Sequence, residues 1–120
     1  MLRIPDATSV AALIETATAR VQRNRLTFGR QFPNYTVDDR YLLRKNRNWL
    51  AAFWPGMVWL TYAQRGDPAL ATYGAELLPS FAQRLDDGVH ITHDLGFLYS
   101  LSARAQYQLT GDTAARALAL

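Results

Sequence analysis

The sequence has no cysteine, a single lysine and only two histidines, and each shortage removes a class of function. Without cysteine there are no disulfides and no thiolate-bound metals. His90 and His93 alone would leave a zinc site leaning on carboxylates, so neither a metal nor a cofactor is expected. No apolar run reaches the length needed to span a bilayer, and Met1-Leu2-Arg3-Ile4-Pro5-Asp6 lacks the apolar stretch of a secretory signal. A membrane partner is therefore not expected, and the cytoplasm is the default compartment. Charge is sparse too, at 19% of residues against 49% hydrophobic, which is a globular composition and not a disordered one. At 120 residues the chain is long enough to bury a core.

The net charge of +3 comes from arginine and is unevenly placed. Arg20, Arg23, Arg25, Arg30, Arg40, Arg44, Lys45 and Arg47 follow one another with only Asp38 and Asp39 between them. No nucleic-acid-binding signature accompanies this stretch, and the preference for arginine over lysine reads as genome composition. Nucleic acid is not expected as a partner. A solvated face near a polyanionic substrate is the expectation.

Residues from about Thr8 to Leu26 predict a helix, with Val10, Ile14, Ala17 and Val21 on one face. Residues 28–48 contain Gly29, Pro33 and Asn34 and show no sustained period. They are expected to form a long ordered loop with one helical turn at Tyr41-Leu42-Leu43, and such loops tend to be functional. From Trp49 to Tyr62 the chain is apolar almost all round, which predicts a buried helix with Pro55 in its first turn. Trp49 and Phe53 then lie on the segment leading into it. Trp49, Trp54 and Trp59 have two readings, a core aromatic cluster or a wall on which the C–H faces of sugars stack.

Gly66 suits a left-handed helix end, Asp67 a cap and Pro68 a first turn. The helix that follows shows Leu70, Tyr73, Leu77, Phe81 and Leu85 on one face. Pro79 should bend or break it near Leu78, and Asp86-Asp87-Gly88 should close it. The Tyr62-x-x-x-Gly66-Asp67-x-Ala69 pattern then recurs as Tyr107-x-x-x-Gly111-Asp112-x-Ala114. A repeat of this kind marks stacked helix hairpins, each needing neighbours to cover its apolar face. The final run, from Ala114 to Leu120, stops in mid-pattern, so the chain is expected to be the N-terminal part of a longer protein.

The most informative stretch is His93-Asp94-Leu95-Gly96-Phe97. It stands at the start of a helix expected to run to Leu109, with Leu95, Leu98, Leu101, Ala105 and Leu109 on its apolar face. Asp94 is either an ordinary cap of that helix or a carboxylate facing a substrate cleft with His93 beside it. The helix dipole would favour its ionised form, so it would be a poor acid at neutral pH. A proton donor would have to be another carboxyl.

These residues resemble the unsaturated glucuronyl hydrolases, glycoside hydrolase family 88. The resemblance rests on Trp49 with Phe53-Trp54-Pro55-Gly56-Met57-Val58-Trp59-Leu60, on Thr92-His93-Asp94-Leu95-Gly96-Phe97-Leu98-Tyr99-Ser100-Leu101-Ser102, and on Tyr107-Gln108-Leu109-Thr110-Gly111-Asp112. It runs from about Phe28 to Leu120. It implies an all-α fold of antiparallel helix-hairpin repeats, the first part of an (α/α)6 barrel. The implied reaction removes a 4,5-unsaturated uronic acid from lyase-made oligosaccharides of glycosaminoglycan, gellan or xanthan type. By resemblance Asp94 is one of two essential aspartates, while His93 and Trp49 line the sugar site. The second aspartate is expected beyond Leu120, leaving residues 1–120 inactive alone. Two other expectations stand beside this one: a rhamnogalacturonyl-type toroid enzyme, and a non-catalytic helical carbohydrate-binding module.

Overall fold

The computed structural model describes Ile4–Leu120, and Met1–Arg3 lie outside the described residues. Helix α1 spans Ala7–Phe28. Asp6 starts it by accepting a hydrogen bond from the Ser9 N–H at 2.7 Å, and that bond holds the Asp6 carboxyl below its ordinary range. The face turned to the core carries Thr18, Val21 and Phe28. Val10 and Ile14, expected on that face, are exposed. The rotation follows from a polar clamp. Arg65 donates to Thr18 Oγ1 at 2.7 and 3.0 Å and pairs with Glu15 at 2.7 Å, which draws the Thr18 side against the next helix.

Residues 28–48 are not the expected loop, and no helical turn forms at Tyr41-Leu42-Leu43. Strands β1 (Phe32–Val37) and β2 (Arg40–Arg44) pair antiparallel, with Val37 opposite Arg40 and Phe32 opposite Arg44. The tight turn uses Asp38 and Asp39, both at positive φ (48° and 59°), as a two-residue hairpin turn of this hand requires. Aspartate tolerates that backbone region, but without glycine the turn carries a weak signal. Pro33 sits where the register shifts, so its missing N–H breaks little.

A short 3-10 turn, Trp49–Ala52, leads into α2 (Phe53–Arg65). Trp54, Pro55, Gly56, Val58, Trp59 and Thr61 are buried, whereas Phe53, Met57 and Leu60 are exposed, so α2 is not covered all round as expected. Gly66 (φ 67°) closes α2 through its N–H to the Tyr62 carbonyl at 2.7 Å. Asp67 then accepts from the Ala69 N–H at 2.9 Å and opens α3, Pro68–Asp86. The second copy of the pattern repeats this physics. Gly111 (φ 73°) donates to the Tyr107 carbonyl at 2.8 Å, and Asp112 accepts from the N–H groups of Ala114 and Ala115.

Helix α3 runs through Pro79 without a break, contrary to the sequence expectation. Proline removes the partner of the Ala75 carbonyl, but both residues are exposed, so water replaces the lost bond. Leu77 and Phe81 are buried on either side and hold the axis. The helix expected from Asp94 to Leu109 is continuous but not uniform. It comprises α4 (Leu95–Tyr99), a π-turn (Ser100–Arg104) and α5 (Ala105–Thr110), followed by α6 (Thr113–Ala119). Its buried face is Leu98, Tyr99, Ser102, Ala103 and Gln106; Leu109 is exposed. Ser102 and Gln106 tolerate burial because each is bonded, to the Leu98 carbonyl at 2.7 Å and to Asp112 at 2.8 Å.

The core is tied across elements by aromatic groups. Trp54 Nε1 donates to Tyr73 Oη at 2.9 Å, and Tyr73 Oη donates to the Gly29 carbonyl at 2.7 Å, linking α2, α3 and the end of α1. Burial pushes the Tyr73 phenol above its ordinary range and keeps that proton in place. Trp59 packs directly on Gly74, where an added Cβ would stand 2.5 Å from the ring.

Gly74→Ala is therefore expected to destabilise the protein by about 1–3 kcal/mol, despite alanine's better helix propensity; a midpoint unchanged in urea would show that the indole can yield. Asp112→Ala is expected to cost about 1 kcal/mol near neutrality. Backbone donors at Ala115 lower the Asp112 pKa, so its contribution is present above the unfolded value and is lost as pH falls through the lower folded one. Unfolding curves of parent and variant should converge in acid.

Candidate active site

The antiparallel run of α2 and α3 brings the start of α2, the end of α3 and the start of α4 to one end of the molecule, away from the Gly66-Asp67 turn. Three aromatic rings meet there. Trp49 lies 5.9 Å from Phe53 and 6.3 Å from Phe97 between ring centroids, and Phe53 lies 4.9 Å from Phe97. The three tryptophans divide between the two sequence readings. Trp54 and Trp59 are core residues, 1% and 2% exposed, while Trp49 is 49% exposed. Phe97 is one helical turn on from Asp94, so the aromatic group and the carboxylate share a side of α4.

Asp94 precedes α4 but does not cap it with its side chain. The backbone explains why. A capping aspartate needs an extended ψ to swing its carboxylate over the helix N–H groups. Asp6, Asp67 and Asp112 have ψ of 167°, 113° and 116°, whereas Asp94 has −9°, already helical. Its carboxylate instead accepts a long hydrogen bond from Thr92 Oγ1 at 3.4 Å and stands 3.5 Å from His93 Nε2. The Asp94 side chain is 33% exposed and that of His93 is 94% exposed. The structure thus puts Asp94, His93 and Trp49 at one end of the molecule, with Asp94 partly sheltered and His93 in solvent.

Sequence reasoning missed Arg84, Asn46, Phe53 and Phe97 as parts of this region. Arg84 is 2% exposed and donates from Nη1 to Asn46 Oδ1 at 3.1 Å and to the Asn48 carbonyl at 2.8 Å. Burial lowers its pKa, while the charges of Tyr99 and Asp94 work in the opposite direction. The signal was present. Leu70, Tyr73, Leu77 and Phe81 are followed on the same stripe of α3 by Arg84, a charge where the pattern calls for an apolar residue, and Leu85 turns outward instead. Among the described residues no group of three or more His, Asp or Glu is placed to hold a metal ion.

Paired helices with Gly-Asp turns, and a carboxylate at a helix start beside an aromatic wall, define a helix-hairpin protein of the α/α-toroid class. No family model matches the chain. An unsaturated glucuronyl hydrolase of Bacillus sp. (strain GL1) is 41% identical over 100 residues, 82% of this chain and 26% of the relative. An unsaturated chondroitin disaccharide hydrolase of Streptococcus agalactiae is 33% identical over 108 residues, 88% of this chain and 27% of the relative. The crystal structure of an unsaturated glucuronyl hydrolase from Streptococcus agalactiae superposes with a TM-score of 0.89 at 31% identity, covering 98% of this chain and 30% of that one. The chain belongs to the unsaturated glucuronyl hydrolase family. It spans about a quarter of the length of the curated relatives it matches.

Because its side chain caps nothing, Asp94→Ala should change stability by less than about 0.5 kcal/mol. Asp67→Ala, which loses a cap bond, should cost about 1 kcal/mol. Equal losses in chemical unfolding would mean that Asp94 serves its helix after all.

Proposed function

We propose that the protein carrying this segment hydrolyses oligosaccharides that end in a 4,5-unsaturated uronic acid, and that Asp94 takes part in the reaction. The observation that supports this reading most directly is the Asp94 carboxylate, released from its own helix end and placed beside Trp49, Phe53 and Phe97. A sugar ring would lie with its C–H face on the aromatic group and its hydroxyls toward Asp94. The reaction is hydration of a vinyl ether: a proton is added at C4, water adds at C5, and the hemiketal that results collapses and releases the next sugar. Asp94 orients a hydroxyl or steadies developing positive charge. Another carboxyl delivers the proton, and we assign it to the part of the protein outside these 120 residues.

The relatives support a substrate class. One solved relative from Streptococcus agalactiae is a complex with dGlcA-GalNAc6S, and another structure contains dGlcA-Glc-Rha-Glc. What those ligands share is the unsaturated uronyl unit at one end, which is the part an aromatic wall and a carboxylate would read. We propose glycosaminoglycan-derived fragments as the main substrates, with gellan- or xanthan-type fragments as a second group, and the cytoplasm as the compartment.

The test uses a protein of the relatives' full length that carries this segment. Asp94→Asn should reduce the loss of ultraviolet absorbance of the C4=C5 bond by about a hundredfold or more. Trp49→Ala should raise KM more than it lowers kcat. A rate close to the parent's with Asp94→Asn would remove Asp94 from the chemistry.

A further inference from the structure

A clamp on the segment that carries Trp49 sits behind the aromatic wall. The residues from Lys45 to Asn48 join β2 to the Trp49–Ala52 turn and belong to no helix or strand. Two side chains bind them to α3. Asn46, itself buried, donates from Nδ2 to Ser80 Oγ at 3.1 Å. Arg84 reaches the Asn46 side chain and the Asn48 carbonyl with one nitrogen, Nη1. Asn48 is the residue immediately before Trp49. Its carbonyl is also the acceptor of a 3.4 Å bond from the Ala51 N–H, so Arg84 grips the first peptide of the turn on which Trp49 stands.

A guanidinium is an expensive group to bury, and its Nε has no hydrogen-bond partner. If the task were only to fill space between α3 and the connecting segment, an apolar side chain would do it at lower cost. A forked, planar donor group is suited to a different task, which is holding two acceptors of one segment at fixed distances.

We propose that Arg84 is a positioning residue for this site: through Asn46 and the Asn48 carbonyl it sets where the Trp49 ring stands relative to Asp94. Its effect on turnover rests on the hydrolase reading given above. Its effect on the placement of Trp49 does not, and the two are measured separately.

The experiment is done in the full-length protein with Arg84→Gln and Arg84→Lys. Iodide quenching is compared with that of the same protein carrying Trp49→Phe, so that the difference isolates the Trp49 ring. Arg84→Gln should make Trp49 more quenchable while the protein still unfolds cooperatively. It should also lower kcat/KM by about tenfold to a hundredfold, with KM taking the larger part. Arg84→Lys restores the charge but not the fork, and should recover only part of both readouts. Unchanged Trp49 quenching in folded Arg84→Gln overturns the proposal. If the parent itself releases no unsaturated sugar, the hydrolase reading fails, and the quenching result still decides the positioning role. Should Arg84→Gln not fold, Asn46→Ala replaces it, and unchanged Trp49 quenching in that variant overturns the proposal equally.

Discussion

The spacing of α2 and α3 is governed by one contact, the Trp59 indole against the Cα of Gly74. No other residue at position 74 would let the ring come so near. With the two helices this close, the short Gly66-Asp67 turn can join them and their far ends reach the same level. The start of α2 then faces the end of α3, and α4 begins beside both. The Trp54–Tyr73–Gly29 chain of hydrogen bonds fastens the end of α1 to the same pair. The candidate site is what this geometry leaves at the open end: Trp49 and Phe53 from one element, Arg84 from the next, and Asp94 and Phe97 from the third.

Four aspartates precede helices in this chain, and their backbones sort them into two kinds. Asp6, Asp67 and Asp112 have extended ψ and spend their carboxylates on helix N–H groups. Asp94 has a helical ψ, so the first turn of α4 continues backward through it and its side chain points elsewhere. The difference concerns how the chain reaches the helix and not the identity of the residue. Thr92 and His93 give Asp94 only long contacts, which leaves acceptor capacity for another molecule.

Some of this was legible in residues alone. Glycine at a left-handed helix end followed by a capping aspartate is a local signal, and both copies of it folded as their chemistry dictates. The blocks around Trp49 and Asp94 carried the family resemblance that the comparisons bear out. Other features were hidden for particular reasons. The Asp38-Asp39 hairpin lacks the glycine by which such turns are recognised. Pro79 reads as a break, yet it lies on the exposed side of a helix whose opposite side is locked in the core. The leucines of the Asp94 helix suggested one face, while bonded Ser102 and Gln106 took part of the buried one.

Local rules decided where helices start and stop, since a cap, a left-handed glycine or a proline acts within a turn of its own position. Which side of each helix faces inward was settled only by tertiary packing, as Val10, Ile14 and Leu109 show by their exposure. The same is true of the site. Trp49 and Asp94 are distant in the chain, and a buried arginine at the end of α3 was needed to fasten the segment before Trp49. Their meeting depends on helix spacing and on long-range hydrogen bonds, and no pattern of neighbouring residues encodes either of these.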